Sequence, residues 1–107
     1  MIPEALLEEA AHRFALLGDP TRLRILSVLH GAGELAVGEL ALRSGVTREN
    51  ASQHLARLAA AGVVARRREG TSVHYRVSDG TLGQVCDLVC DSLRQQASRF
   101  AAPQQRR

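Results

Sequence analysis

Apolar residues in the first third of the chain recur every three or four positions, which is the spacing of a helix with one buried side. The pattern predicts a first helix from about Pro3 to Leu17. Asp19 has the residue type of a helix N-cap, and Pro20 suits the first helical position because an N–H is not needed there. The sequence therefore predicts a second helix from Pro20 to near Gly33.

The segment from Gly38 to Gly62 predicts two short helices joined by a tight turn. Gly45 can adopt the positive φ that ends the first of these helices, and Thr47 can cap the second. Apolar residues then mark one buried side of the second helix: Ala51, Leu55 and Leu58. Its polar side is typical of a helix that enters a DNA groove. We expect the DNA-contacting residues of this segment to be Thr47, Arg48, Asn50, Ser52, Gln53 and Arg57.

Two runs of alternating residues, Val63 to Arg68 and Ser72 to Val77, flank a glycine-containing tip and predict a β-hairpin. Helices followed by such a hairpin form a winged helix-turn-helix, a mainly α fold in which the hairpin is the wing. Strand alternation places Arg67 on the opposite face from its two neighbours. The wing residues that we expect to contact phosphates or a minor groove are Arg66, Arg68 and Arg76.

A last helix is predicted from about Thr81 to Phe100, so that residues 1–102 form a single DNA-binding domain and residues 103–107 a flexible tail. This helix carries a long apolar stripe, and the first helix carries a comparable one. We expect the two helices to join two copies of the chain, the alternative being that both pack only within one copy. The expected interface residues are Leu7, Phe14, Leu82, Val85, Cys86, Val89 and Leu93. We call the second helix of the helix-turn-helix the reading helix. A two-fold dimer would hold its two reading helices ~34 Å apart, which is the length of one turn of DNA.

The charge of the chain is concentrated in the middle of the sequence. The net charge of the 107 residues is +3, and all 14 basic residues are arginine. Seven of the arginines, against two glutamates, lie between Arg43 and Arg76, which places a positive field on the suspected DNA face. No nucleophile paired with a base and no glycine-rich phosphate loop is apparent, so we do not expect an enzyme. No run approaches ~20 apolar residues, and the acidic amphipathic N-terminus is unlike a signal peptide, so a cytoplasmic protein without a membrane partner is expected.

The two cysteines of the chain, Cys86 and Cys90, are four residues apart in the predicted last helix. This spacing places both sulfurs on one side of the helix, and a two-fold axis would bring a second pair near. Converging thiolates would suit arsenite or another soft metal ion, or a switch based on thiol oxidation. The alternative that the cysteines only pack in the core is equally open, since free cysteine is often buried. No cofactor is expected with certainty.

Three segments resemble, in order, the ArsR/SmtB family of bacterial winged-helix repressors: LGDPTRLRIL at 17–26, ELALRSGVTRENASQHLARLAAAGVV at 39–64 and REGTSVHYRVSD at 68–79. The resemblance implies a homodimer that is joined by its first and last helices, binds inverted-repeat operator DNA and is released by an inducer, often a metal ion or metalloid. It also implies base-reading or phosphate-contacting roles for Arg48, Asn50, Ser52 and Gln53.

The sequence departs from the family at its best-known metal sites. Ala36 and Gly38 stand where one site needs cysteines, and Thr81 replaces the first histidine of another, which keeps only Asp79. The cysteine pair of the last helix thus remains as the candidate sensor. Two further interpretations stay open, namely a repressor with no inducer site and a winged helix used for contact between proteins.

Overall fold

The computed structural model describes the backbone of residues 1–105 and the side chains of residues 1–99. Five helices and three short strands follow one another, after a 3-10 turn at Glu4–Leu6, in the order α1 Leu7–Leu17, α2 Pro20–Ala32, β1 Glu34–Ala36, α3 Val37–Ser44, α4 Arg48–Ala60, β2 Val64–Glu69, β3 Ser72–Val77 and α5 Thr81–Gln105. The predicted mainly helical fold with a hairpin wing is confirmed.

The sheet has one strand more than the sequence predicted. Strand β1 pairs antiparallel with β3, so the strand order is β1-β3-β2 and the wing is continuous with the segment that precedes α3. Three residues are too few for an alternating pattern to stand out, and β1 exists because β3 offers a free edge on which it pairs.

The last helix is longer than predicted. It runs past Phe100 to Gln105, because alanine, glutamine and arginine, all good helix formers, dominate the preceding stretch. It therefore includes three of the five residues expected to form a flexible tail, and residues 106–107 lie outside the described part of the chain.

The predicted helix boundaries around the turn and the second helix are confirmed by their hydrogen bonds. The backbone N–H of Arg22 donates to Asp19 Oδ2 at 2.8 Å, which caps α2 at the predicted residue. Gly45 has φ 71° at the end of α3, and the N–H of Asn50 donates to Thr47 Oγ1 at 3.1 Å at the start of α4. The helix-turn-helix is thus set by local residue types.

The core lies between α2, α3, α4 and the inner face of the sheet. The predicted stripe of α4 is completely buried, because Ala51, Leu55 and Leu58 all have 0% exposure. Ala41 of α3 is 3% exposed, which lets the two helices of the turn approach closely. Burial of each leucine contributes ~1.5–3 kcal/mol, so the core fixes α4 with its polar side outward.

Within residues 1–105, no helix combines the length and the apolar character that crossing a bilayer requires.

Candidate nucleic-acid interface

The polar side of α4 is presented to solvent as the sequence predicted. Arg48, Asn50 and Gln53 are exposed, and Ser52 is half-buried at the edge of the helix packing. Thr47 caps this end of the helix through its side-chain oxygen while remaining exposed itself. The first turn of α4 thereby combines polar side chains with backbone N–H groups that can meet a phosphate.

Arg57 lies apart from this group. It is nine residues from Arg48, or ~13 Å along the helix axis. There it lines a cleft of about 750 Å³ between α4 and α1, together with His12 and Arg13. The structure therefore brings together the predicted residues of the first half of α4, and it places Arg57 at the other end of the helix.

The three predicted wing arginines do not share one face of the hairpin. Residues directly opposite each other in an antiparallel pair point to the same side, and Arg66 stands opposite the buried Tyr75. Arg66 and Arg68 are therefore on the side that faces the core, projecting beyond it toward the tip. Arg76 is on the other side, which it shares with Arg67, as the register of the strands requires.

Arg67 is held by two carboxylates. Its Nη2 lies 2.7 Å from Glu34 Oε1 on β1, and its Nη1 lies 2.7 Å from Glu69 Oε2 on the same strand. Hydrogen bonding to Arg67 lowers the pKa of both glutamates below the usual value. Within residues 1–99, neither Arg66 nor Arg68 forms an ion pair. The free positive charge of β2 is therefore concentrated on the Arg66 side.

A buried arginine connects α4 to the first two helices. Arg22 is 7% exposed, donates from Nε to His54 Nδ1 at 3.3 Å and from Nη1 to the Leu16 carbonyl at 3.2 Å. His54 Nε2 lies 4.0 Å from Asp19 Oδ2. These contacts anchor the inner side of α4, and no sequence pattern indicates that two residues 32 positions apart are paired.

A second arginine joins α1, the end of α4 and the start of α5. Arg13 donates to Asp79 Oδ2 at 3.0 Å and to the Ala61 carbonyl at 3.1 Å. Asp79 also accepts from the Thr81 N–H, and this bond, followed by the contact with Arg13, lowers the pKa of Asp79. The aspartate that remains of the family's last-helix site is thus engaged in capping and pairing.

Apolar side chains lie exposed along α1 and the middle of α5. On α1 the exposed ones include Leu7 and Phe14, and on α5 they include Val89 and Leu93, all of them predicted interface residues. Leu6 and Leu88 are also exposed, although they are not among the interface residues predicted from the sequence. We call the six exposed apolar side chains of the two terminal helices the terminal-helix face: Leu6, Leu7, Phe14, Leu88, Val89 and Leu93.

Not every predicted interface residue belongs to this face. Leu82, in the first turn of α5, is 5% exposed and packs in the core of the protomer, because this turn still lies over α2 and the sheet. Val85 and Cys86 are half-buried at the point where α5 leaves the core. The interface prediction for Leu82 is corrected, since the periodicity that identified it does not reveal what covers each turn.

The two cysteines are free thiols in different surroundings. Cys86 is half-buried, whereas Cys90 is exposed one turn further along α5. Burial, and then the neighbouring Cys90 and Asp87, raise the pKa of the Cys86 thiol. Cys86 also lines a pocket of about 240 Å³ beside His30. In the described residues of one chain, no group of three or more His, Cys, Asp or Glu side chains is placed to hold a metal ion.

Comparison with known proteins identifies the family. A family profile described as a helix-turn-helix domain matches residues 17–67. An uncharacterised HTH-type transcriptional regulator of Methanocaldococcus jannaschii is 37% identical over 82 residues, which cover 77% of this chain and 92% of that protein. The crystal structure of AntR, an antimony-specific transcriptional repressor, has a TM-score of 0.82 and 30% identity, covering 92% of this chain and 88% of that one.

A homodimeric winged helix-turn-helix domain from Mycobacterium bovis, described as a possible ArsR-family regulator, has a TM-score of 0.77 and 33% identity over 89% of this chain and 87% of that one. The chain belongs to the ArsR/SmtB family. The predicted resemblance is confirmed. These relatives are described as transcriptional regulators or repressors, in agreement with the expectation that the chain is not an enzyme.

The match to some relatives covers only part of their length. The arsenical resistance operon repressor of Escherichia coli K12 is 40% identical over 65 residues, which are 61% of this chain and 56% of that repressor. The matched part of the chain thus spans just over half the length of that repressor.

Proposed function

We propose that the protein is a homodimeric repressor that binds inverted-repeat operator DNA in the cytoplasm, with α4 of each protomer in a major groove and the wing beside it. The observation that carries the proposal is the exposed polar first half of α4 above a completely buried stripe. A major groove ~12 Å wide admits a helix presented in this way. Gln53 has the donor and acceptor pair that matches adenine, and Arg48 can contact guanine or phosphate.

The charge distribution favours duplex DNA over a protein partner. Arg48, Arg66 and Arg68 are exposed, and none of them forms an ion pair with residues 1–99. Unpaired arginines can displace the counterions of a phosphate backbone, whereas the centre of a protein interface is usually depleted of charge.

The second copy of the chain is proposed to cover the terminal-helix face. Six apolar side chains of one small protomer otherwise stay in water, and the M. bovis relative with the same fold is homodimeric. A two-fold arrangement would present two α4 helices to successive major grooves, which is why we propose an inverted repeat as the operator.

A salt titration of duplex binding tests the proposal. The duplex would carry an inverted repeat selected from random sequence, and the control duplex would carry one half-site. Arg48→Ala should weaken binding and, if Arg48 contacts a phosphate, reduce the slope of log K against log salt by ~1.8, since each protomer of the proposed dimer loses one contact. Arg94→Ala removes an equally charged residue that is exposed on α5, outside the helix-turn-helix and the wing, and should change neither quantity. Binding that is absent at low salt or insensitive to salt would favour the protein-contact interpretation.

We further propose that thiophilic inducers act at Cys86 and Cys90 of α5. A single chain has two cysteines, so the proposed site takes a third sulfur from the partner protomer. Arsenite, As(OH)₃, would react with three thiols to give three As–S bonds and three water molecules, and each thiol proton leaves with a hydroxyl group. Burial raises the pKa of the Cys86 thiol, which lowers its thiolate fraction and slows its reaction with oxidants and with soft ions alike, so arsenite and thiol oxidation are both tested as inducing signals.

The cysteine proposal is tested by release of operator DNA. Arsenite should release the wild-type protein, and the double variant Cys86→Ser, Cys90→Ser should stay bound at the same arsenite concentration. Hydrogen peroxide serves as the oxidation arm of the experiment. If the double variant responds to arsenite as the wild type does, the thiols are not the sensor. If neither reagent releases the wild type, a repressor without this inducer site is supported.

A further inference from the structure

We propose that Arg67 is a positioning residue, which sets the angle of the wing relative to the helix-turn-helix and makes no contact with DNA itself. The inference rests on the proposed function, because it concerns how the wing meets the duplex. Arg67 lies between two arginines with free side chains, yet its own guanidinium is engaged on three of its nitrogen atoms.

The ion pair spans two strands that are not neighbours. In the order β1-β3-β2, the outer strands lie ~9.5 Å apart, since adjacent strands are 4.7–4.9 Å apart. The side chain of Arg67 crosses β3 and meets Glu34 in a two-point contact, with Nη2 to Oε1 at 2.7 Å and Nε to Oε2 at 3.5 Å. Such a forked contact restricts direction as well as distance.

Glu34 connects the ion pair with Arg67 to the helix-turn-helix. It is the first residue of β1, and β1 continues into α3 with Ala36 as the N-cap and without an intervening loop. Arg67 therefore ties the outer strand of the wing to the start of the first helix of the helix-turn-helix. Because α3 packs on α4, the tether fixes the wing relative to the reading helix.

The charges on this side of the wing disfavour a phosphate contact. Two carboxylates, Glu34 and Glu69, surround one guanidinium, and hydrogen bonding to Arg67 keeps the pKa of both low. An incoming phosphate would meet a guanidinium that already donates from all three of its nitrogen atoms, with two negative groups beside it. Within β2, the positive charge that is free to contact DNA is on the opposite side, at Arg66 and Arg68. On the Arg67 side, Arg76 of β3 is near Glu34 and forms no ion pair within residues 1–99.

The direction in which one substitution changes DNA affinity distinguishes a positioning role of Arg67 from a simple effect of charge. Glu34→Gln removes a negative charge and frees Arg67, so charge alone predicts tighter DNA binding. Loss of the tether predicts weaker binding, roughly three- to tenfold, because the wing must then be ordered on binding. Glu69→Gln is the matched control, since Glu69 is on β2 itself and ties nothing to β1; it should cause no loss of affinity.

The full experiment compares duplex affinity at several salt concentrations for the wild type, Glu34→Gln, Arg67→Gln, their double variant, Glu69→Gln and Arg66→Gln. Glu34→Gln and Arg67→Gln should weaken DNA binding by similar factors and leave the salt slope unchanged. The double variant should bind no more weakly than either single variant, because both substitutions break the same ion pair. Arg66→Gln should reduce the slope by ~1.8, as expected when each of the two protomers loses one phosphate contact. Tighter binding by Glu34→Gln, or a reduced slope for Arg67→Gln, would overturn the inference.

A measurement on the free protein keeps the inference distinct from the proposed function. Amide hydrogen exchange of β1 and of its partner residues in β3 should be faster in Glu34→Gln and Arg67→Gln than in Glu69→Gln, because the tether is lost only in the first two. Unchanged exchange would refute the tether even if DNA binding is confirmed. Conversely, if the wild-type protein binds no duplex, the proposed function is refuted, and the exchange measurement still tests whether the tether exists.

Discussion

Leu93→Ala provides a quantitative test of the proposed dimer. Leu93 belongs to the terminal-helix face on α5 and is 57% exposed in the protomer, so more than half of its side chain is available for burial by a second copy. In a two-fold dimer, one substitution removes this contact from both protomers. The folding stability of the protomer should change little, because the side chain of Leu93 buries little apolar surface within its own protomer.

The expected effect follows from the exposed fraction. Complete burial of a leucine side chain contributes ~1.5–3 kcal/mol, so covering the exposed part of Leu93 contributes ~1–1.5 kcal/mol per protomer. Two copies give ~2–3 kcal/mol per dimer, which corresponds to a roughly 30- to 150-fold weaker dimerisation. Leu42→Ala is the matched control, since Leu42 is 75% exposed on α3, outside the terminal-helix face.

Sedimentation equilibrium over a range of protein concentrations measures both variants. Leu93→Ala should shift the dissociation constant by the factor above, and Leu42→Ala should leave it at the wild-type value. A change below about threefold for Leu93→Ala would refute the reasoning, and so would an equal weakening by Leu42→Ala, which would point to a general effect of apolar surface.

Three further predictions concern stability, measured by urea or thermal unfolding. Leu55→Ala removes a side chain with 0% exposure and should lower the free energy of unfolding by ~2–5 kcal/mol. Ser44→Ala should keep or raise stability, because Ser44 Oγ is buried without a hydrogen-bond partner in residues 1–99 and leaving a hydroxyl unpaired costs ~1–3 kcal/mol. The lowered pKa of Asp79 stabilises the fold above the ordinary value of 3.8, and this contribution disappears as the pH falls through the lowered pKa. Asp79→Asn should therefore show a shallower loss of Tm below about pH 4.

Each of these predictions has a result that contradicts it. A loss below about 1 kcal/mol for Leu55→Ala would mean that α4 is not fixed by its stripe. Destabilisation by Ser44→Ala would indicate an unseen partner of the hydroxyl group. An identical acid profile for Asp79→Asn would assign the pH dependence to other carboxyl groups, such as Glu34 and Glu69, whose pKa values are also lowered.

Features that depend on neighbouring residues in the sequence could be predicted. The starts of α2 and α4 follow from Asp19 and Thr47, whose side chains cap the helix that comes directly after them, and the turn follows from a glycine with positive φ. The existence of the hairpin follows from the two alternating runs around a glycine-containing tip. The same pattern correctly placed Arg67 on the opposite side from Arg66 and Arg68.

Features that depend on the packing of distant segments could not be predicted. Arg13 and Asp79 are 66 positions apart, and Arg67 and Glu34 are 33 apart, so only the fold shows that they meet. Helical periodicity marks Leu82 as apolar but cannot tell whether its own protomer or a partner covers it. For the same reason the sequence could not separate Arg76 from the other wing arginines without the strand register.

The position of Cys86 explains how an inducer at α5 would influence DNA binding in the proposed mechanism. Along one side of α5, the helix is buried in its own core at Leu82 and exposed at Leu93, and Cys86 lies where the change occurs. The start of the same helix is joined through Asp79 and Arg13 to the carbonyl at the end of the reading helix. A ligand that draws the thiols of two protomers together changes how the two helices α5 meet, and each α5 is tied to its own α4. Such a ligand releases DNA only to the extent that it binds the altered geometry more tightly than the DNA-bound one, so a tenfold loss of operator affinity requires ~1.4 kcal/mol of differential binding.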